Sequence, residues 1–267
     1  MKKMMLKISQ TENLTDARIA ATRLLKEFYI SSPEEIRLED IAMVYGIQVR
    51  EGGLTGADAR LVHNGKRGII RVSENIRELG RKRFAMAHEL GHWKLHQGAS
   101  QLCECSEKDM IGYAGSPMEV EANTFASELL MPSMMFRPAC RKEDPSIELL
   151  GSLSDEFKTS LTSTAVRYVE EARESCIVVF SEQGRVKWWK GKDGYDAATW
   201  IDSKQQIHCD SAAWECLKDG VACTRMQKVP KTCWFQNLRE FRQFDVYEQA
   251  MQLGYYPIIV SLLWIIE

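Results

Sequence analysis

The run His88-Glu89-Leu90-Gly91-His92 restricts the possible folds of this chain more than any other stretch. It sits in a segment whose pattern predicts helix from about Glu74 to Leu95, ending before Gly98. A four-residue interval on a helix places both imidazoles on one face, where they can share one cation. The alternative is two ordinary helix histidines, and if they do bind a catalytic metal a third ligand must be found.

Zinc in a catalytic site usually takes three protein ligands and keeps a fourth position open. Three residues compete for third place. His96 continues the ladder but lies further round the helix axis, and Leu95 stands where a glycine-turn arrangement would need glycine. His96 is therefore expected behind the ligands or facing solvent. Glu119 and Glu121 open a second helix, Ser116 to about Leu130, which Pro132 stops. At about 100° per residue the two glutamates cannot both face the metal. Ala122, Phe125, Ala126, Leu129 and Leu130 define the buried arc with Glu119 at its edge, whereas Glu121 falls among Thr124 and Glu128. Ser116-Pro117-Met118-Glu119 also fits an N-cap, a first-turn proline and a capping-box glutamate, so spacing leaves Glu119 between ligand and cap. Asn123, one turn on, favours the ligand reading because its side chain can orient a metal-bound histidine. Glu89 follows His88 directly and can reach the open side of the metal as a general base.

Helical spacing also runs from Asp16 to Phe28 and from Pro33 to about Tyr45. After Gly46 the texture turns to strand at Ile47 and Val49, Arg60-Leu61-Val62 and Gly68-Ile69-Ile70-Arg71-Val72, with Asn64-Gly65 predicting a two-residue hairpin turn. Helix returns from Ile147 to Glu174 with a break near Lys158 to Thr162, which gives a helix-turn-helix shape. Acidic residues outnumber basic ones across this stretch, which argues against phosphate binding. From about 175 the chain is β-rich, with strands at Cys176–Phe180, Val186–Trp189 and Ile258–Ile266 and a turn at Glu182-Gln183-Gly184. The expected domains are 1–145, a helical connector 146–174, and 175–267.

With 35 basic against 37 acidic residues, the whole-chain field attracts neither nucleic acid nor an anionic membrane. No export signal follows Met1, and the apolar run Pro257 to Ile266 is about half a membrane span, so a cytoplasmic protein with a terminal buried strand is expected. The eight cysteines then read as thiols, including the loop pair Cys103 and Cys105. Tyr113 and His96 are open candidates for stabilising an oxyanion, and the tryptophans read as core.

The segment Arg83-Phe84-Ala85-Met86-Ala87-His88-Glu89-Leu90-Gly91-His92, followed by Glu119-Val120-Glu121-Ala122-Asn123-Thr124-Phe125-Ala126-Ser127-Glu128-Leu129-Leu130-Met131-Pro132, resembles the ImmA/IrrE metallopeptidases over about residues 15 to 135. The resemblance implies an α+β fold, a zincin-like domain of helices beside a small twisted sheet, followed by the helical connector and a second α/β domain similar to ligand-sensing GAF-like domains. It implies His88, His92 and Glu119 as ligands of Zn2+ (or Mn2+), Glu89 as the base, and a protein substrate of helix-turn-helix repressor or antitoxin type; the charge balance gives no expectation of direct nucleic-acid binding. By similarity to zincin proteases, in which an edge strand accepts substrate backbone, Ile69, Ile70, Arg71 and Val72 are the expected substrate strand. The competing expectations are a non-proteolytic module in which the metal only clamps two helices, and a DNA-binding regulator using residues 154 to 173.

Overall fold

A computed structural model of the chain describes residues 2–96, 116–192, 201–235, 243–254 and 258–267. They cluster into two compact units, Met1–Met135 with Ser154–Ser163, and Phe136–Leu153 with Thr164–Glu267. Among the described residues no helix is long and apolar enough to cross a membrane.

In the first unit the helix α1 (Lys2–Glu27) buries Ala17, Ala21, Leu24 and Leu25, the stripe that a 3.6-residue period demands. The helix expected from Pro33 divides into a 3-10 turn at Pro33–Glu35 and α2 (Leu38–Val44). The Glu35 carboxylate accepts the backbone N–H groups of Ser31 and Ser32, 2.6 and 3.1 Å away, and so ties the short turn to the chain before it.

Three strands follow: β1 (Ile47–Gly52), β2 (Ala59–His63) and β3 (Gly68–Ser73). Their order is β1-β3-β2, with β3 parallel to β1 and antiparallel to β2. Ile47, Ala59, Leu61, Ile70 and Val72 make the buried face, and two-residue alternation turns Ile69 and Arg71 outward. The β2–β3 loop differs from the expected two-residue turn. It spans Asn64 to Arg67, only Gly65 takes positive φ (82°), and the Asn64 side chain accepts the N–H groups of Lys66 and Arg67 at 3.1 and 2.9 Å. Asn64 closes the loop through its carboxamide, a local bond open to short polar side chains.

Two helices complete the core: α3 (Leu79–Leu95), starting later than its pattern suggests, and α4 (Pro117–Leu130). Met86, Leu90 and Trp93 of α3 and Phe125, Leu129 and Leu130 of α4 join one buried cluster with α1 and the sheet. Three short helices come next, α5 (Ser133–Cys140), α6 (Ile147–Phe157) and α7 (Leu161–Glu171). Lys158, with φ of 52°, marks the turn between α6 and α7. Arg167 of α7 is fully buried and ion-paired with Glu171 at 3.1 Å, so its charge is spent inside the fold.

The second unit is built on a five-stranded sheet of order β5-β4-β8-β7-β6, antiparallel throughout. Its strands are β4 (Ser175–Glu182), β5 (Arg185–Gly191), β6 (Gln227–Val229), β7 (Asp245–Gln252) and β8 (Ile258–Ile266). The β4–β5 link is the two-residue turn Gln183-Gly184 with both φ positive (52° and 74°), the conformation whose twist matches a hairpin. The apolar C-terminal run is indeed a buried strand. One sheet face packs Val179, Val246, Ala250 and Leu263 against Ala212, Ala213 and Cys216 of α8 (Ala212–Asp219). On the other, Gln249 accepts the Ile147 N–H at 2.8 Å and donates to Glu148 at 2.9 Å.

Candidate metal centre

The site lies where α3 meets α4. Gly91, between the two histidines, lets the backbones approach: a Cβ added there would stand 3.1 Å from the Ala122 Cα and 3.2 Å from its carbonyl oxygen. Such closeness carries side chains from one helix onto the other without long reaches. His88 and Glu89 are fully buried and His92 nearly so.

His88 Nε2 and His92 Nε2 are 3.0 Å apart. Glu119 brings one carboxylate oxygen to 3.1 Å from His88 Nε2 and the other to 3.4 Å from His92 Nε2. Two ligand atoms at tetrahedral angles around zinc are separated by about 3.3 Å, the value set by Zn–N bonds of ~2.0–2.1 Å. The two nitrogens and the two carboxylate oxygens are thus close enough for one ion to be held by His88, His92 and Glu119, whose ligand atoms all lie within 4.8 Å of one another. Ser116 makes no side-chain cap on α4, so of the two roles that spacing left open for Glu119, its carboxylate has turned to the imidazoles. Burial works to raise the Glu119 carboxyl, but the bonds and charge of the two imidazoles outweigh it and hold the group well below the usual carboxylate range.

The far side of each ring is engaged as well. His88 Nδ1 lies 2.8 Å from Asn123 Oδ1. An amide oxygen only accepts, so Nδ1 donates and Nε2 keeps its lone pair for the metal. His92 Nδ1 lies 3.0 Å from His96 Nδ1, and His96 Nε2 lies 2.9 Å from Glu121 Oε2. Burial lowers the His96 pKa against the opposing pull of Glu121, which favours the neutral ring. The second oxygen of Glu121 accepts from the Asn13 amide of α1 at 2.9 Å.

The structure therefore brings His88, His92, Glu119 and Asn123 together, with Glu89 next to His88 on the buried face of α3. It also brings in Glu121, which the helical wheel had set on an outward arc with Thr124 and Glu128, both in fact buried. The expected substrate strand does not fit. Ile69, Ile70, Arg71 and Val72 belong to β3, the middle strand, whose backbone is paired on both sides; among the described residues the edge strands are β1 and β2. Cys103, Cys105 and Tyr113 lie outside the described residues. A further grouping, His208, Cys209 and Asp210, is exposed, and its His208 Nδ1 accepts the Asp210 N–H at 3.1 Å.

A mixed helix-and-sheet unit in which a His-Glu-x-x-His helix is closed by a glutamate from a second helix defines a peptidase-type fold with a His-His-Glu group that could hold a metal ion. The chain belongs to the IrrE N-terminal-like family, peptidase family M78, whose model matches residues 42–168. It is 33% identical over 116 residues to an uncharacterized immunity region protein of Bacillus phage phi105, a match covering 43% of this chain and 68% of that one. In fold it is similar to a Mycobacterium tuberculosis transcriptional regulator, with a TM-score of 0.59 at 17% identity over 93% of this chain and 76% of the other.

Proposed function

We propose that the protein is a zinc-dependent endopeptidase that cuts a regulatory protein of repressor or antitoxin type at a specific bond. The convergence of His88 Nε2, His92 Nε2 and the Glu119 carboxylate within reach of a single ion carries this reading. Zinc, when bound there, supplies Lewis acidity that polarises a carbonyl and makes water a nucleophile near neutral pH. Glu89 takes the proton of the attacking water on its carboxylate and hands it to the amide nitrogen that leaves. Asn123 keeps His88 in the tautomer that ligation needs. The regulatory setting is supported by the relative from a phage immunity region. The second unit is the natural place for a sensing or docking role, whether GAF-like or not.

Glu89→Gln tests the proposal. It keeps the ligands and removes the base, so zinc content should stay near that of the parent while cleavage falls by about 10²–10⁴-fold. N-terminal peptide profiling of cells carrying either form should reveal a new terminus in a DNA-binding regulator only with the parent. If the two profiles agree while zinc stays bound, the metal serves to clamp two helices and the binding-module reading replaces this one.

A further inference from the structure

We infer that His96 and Glu121 form a positioning bracket that fixes the orientation and tautomer of His92, the second proposed ligand, so that all three helix α4 residues Glu119, Glu121 and Asn123 serve one metal. The inference rests on the metallopeptidase reading above and adds two residues to it.

The argument follows from what each atom can do. The Glu121 carboxylate only accepts, so His96 Nε2, 2.9 Å away, must donate to it. A neutral imidazole carries one N–H, so His96 Nδ1 is then an acceptor. His92 Nδ1, 3.0 Å from that atom, must donate, which leaves the His92 Nε2 lone pair directed at Glu119 and His88. One carboxylate thus dictates the protonation pattern of two rings in series. The bracket is sheltered, with side-chain exposures of 8% for His96 and 17% for Glu121, and Asn13 holds the remaining Glu121 oxygen. His88 achieves the same tautomer through one neutral amide, whereas His92 does so through a two-residue chain ending in a charge. On the helical wheel Glu121 points away from Glu119; His96, one turn beyond His92 at the end of α3, spans the gap.

The test is zinc affinity of the full chain, read by competition with a chromogenic chelator, together with histidine ring-nitrogen NMR of the chelator-treated protein. His96→Ala should weaken zinc by about 10–100-fold. Glu121→Ala should weaken it less, and the double variant no more than His96→Ala alone, since Glu121 acts through His96. His96→Gln, which keeps one acceptor and one donor, should recover most of the loss. His92 should show a single Nδ1-protonated form in the parent and a mixture in both alanine variants, a signature that simple loss of packing would not produce. If His96→Ala does not fold, Glu121→Ala and His96→Gln carry the same comparison. Parent-like affinity and tautomer in the alanine variants at His96 and Glu121, with zinc lost in His88→Ala, would overturn the bracket and leave the metal site standing. Equal zinc binding by the parent and His88→Ala would instead overturn the metal site itself.

Discussion

Glu248 of the second unit and Glu119 of the first are both acids drawn toward the protein interior, and the groups around them differ in kind. Glu248 receives four donors: the Ala212 N–H at 2.9 Å and the Trp234 indole N–H at 3.0 Å on one oxygen, the Ala213 N–H and the Ser261 hydroxyl, each at 3.0 Å, on the other. Two of these come from the first turn of α8, where the helix dipole also favours an anion. Glu119 instead meets two imidazole nitrogens, which bond it only while they carry protons and which, in the tautomers inferred above, turn lone pairs toward it. An acid surrounded by donors is complete and holds its fold together. An acid gathered with other acceptors calls for a cation, and that is what marks a site.

The largest effect that could break this contrast is on metal retention. Zinc binding to folded protein sites is worth roughly 10–16 kcal/mol, so loss of one of three ligands in Glu119→Ala should cost about a thousandfold in affinity, measured by chelator competition. The same variant in chelator should cost less than about 1.5 kcal/mol of unfolding stability, because it removes the contact of one part-exposed carboxylate with two imidazoles and strands no backbone donor. Glu248→Ala should do the reverse. It strands four buried donors, and denaturant unfolding should show a loss of about 3 kcal/mol or more. Comparable stability losses for the two alanine variants in chelator would erase the distinction. Between these sits Gly91→Ala, where overpacking against Ala122 and Phe125 should cost about 1–3 kcal/mol and lower zinc affinity by displacing α4. The smallest effect is expected for Ser211→Ala, which removes the hydroxyl that accepts the Trp214 N–H at the start of α8 and should cost about 1 kcal/mol with zinc binding unchanged.

The parts of the site set by local periodicity were legible in the sequence. Four-residue spacing put His88 and His92 on one face, the wheel placed Glu119 at the edge of the buried arc, and Asn123 followed one turn later. Glu121 was not legible, because its role depends on His96, 25 residues earlier on another helix. The same holds for β3. Its strand character showed in the alternation, but its place in the middle comes from parallel pairing with β1, which reaches past β2 and leaves no local mark. In the second unit β4, β5 and β8 announced themselves through Val, Ile and Trp, while β7 did not. Its buried positions include Glu248 and Gln249, so a buried strand reads as a polar one, and the groups that satisfy those side chains lie more than ten residues away.

The close contact at Gly91 bears on which ions the proposed site would accept. Metals that bind the same nitrogen and oxygen donors differ in radius, and discrimination among them falls to geometry more than to raw affinity. Here the ligand triangle is sized by the gap between two helix backbones, and a missing side chain sets that gap. In the proposed site, ion selectivity would therefore rest on the glycine of the motif as much as on its histidines, and the same His-His-Glu set on helices held a few tenths of an ångström further apart would suit a larger ion.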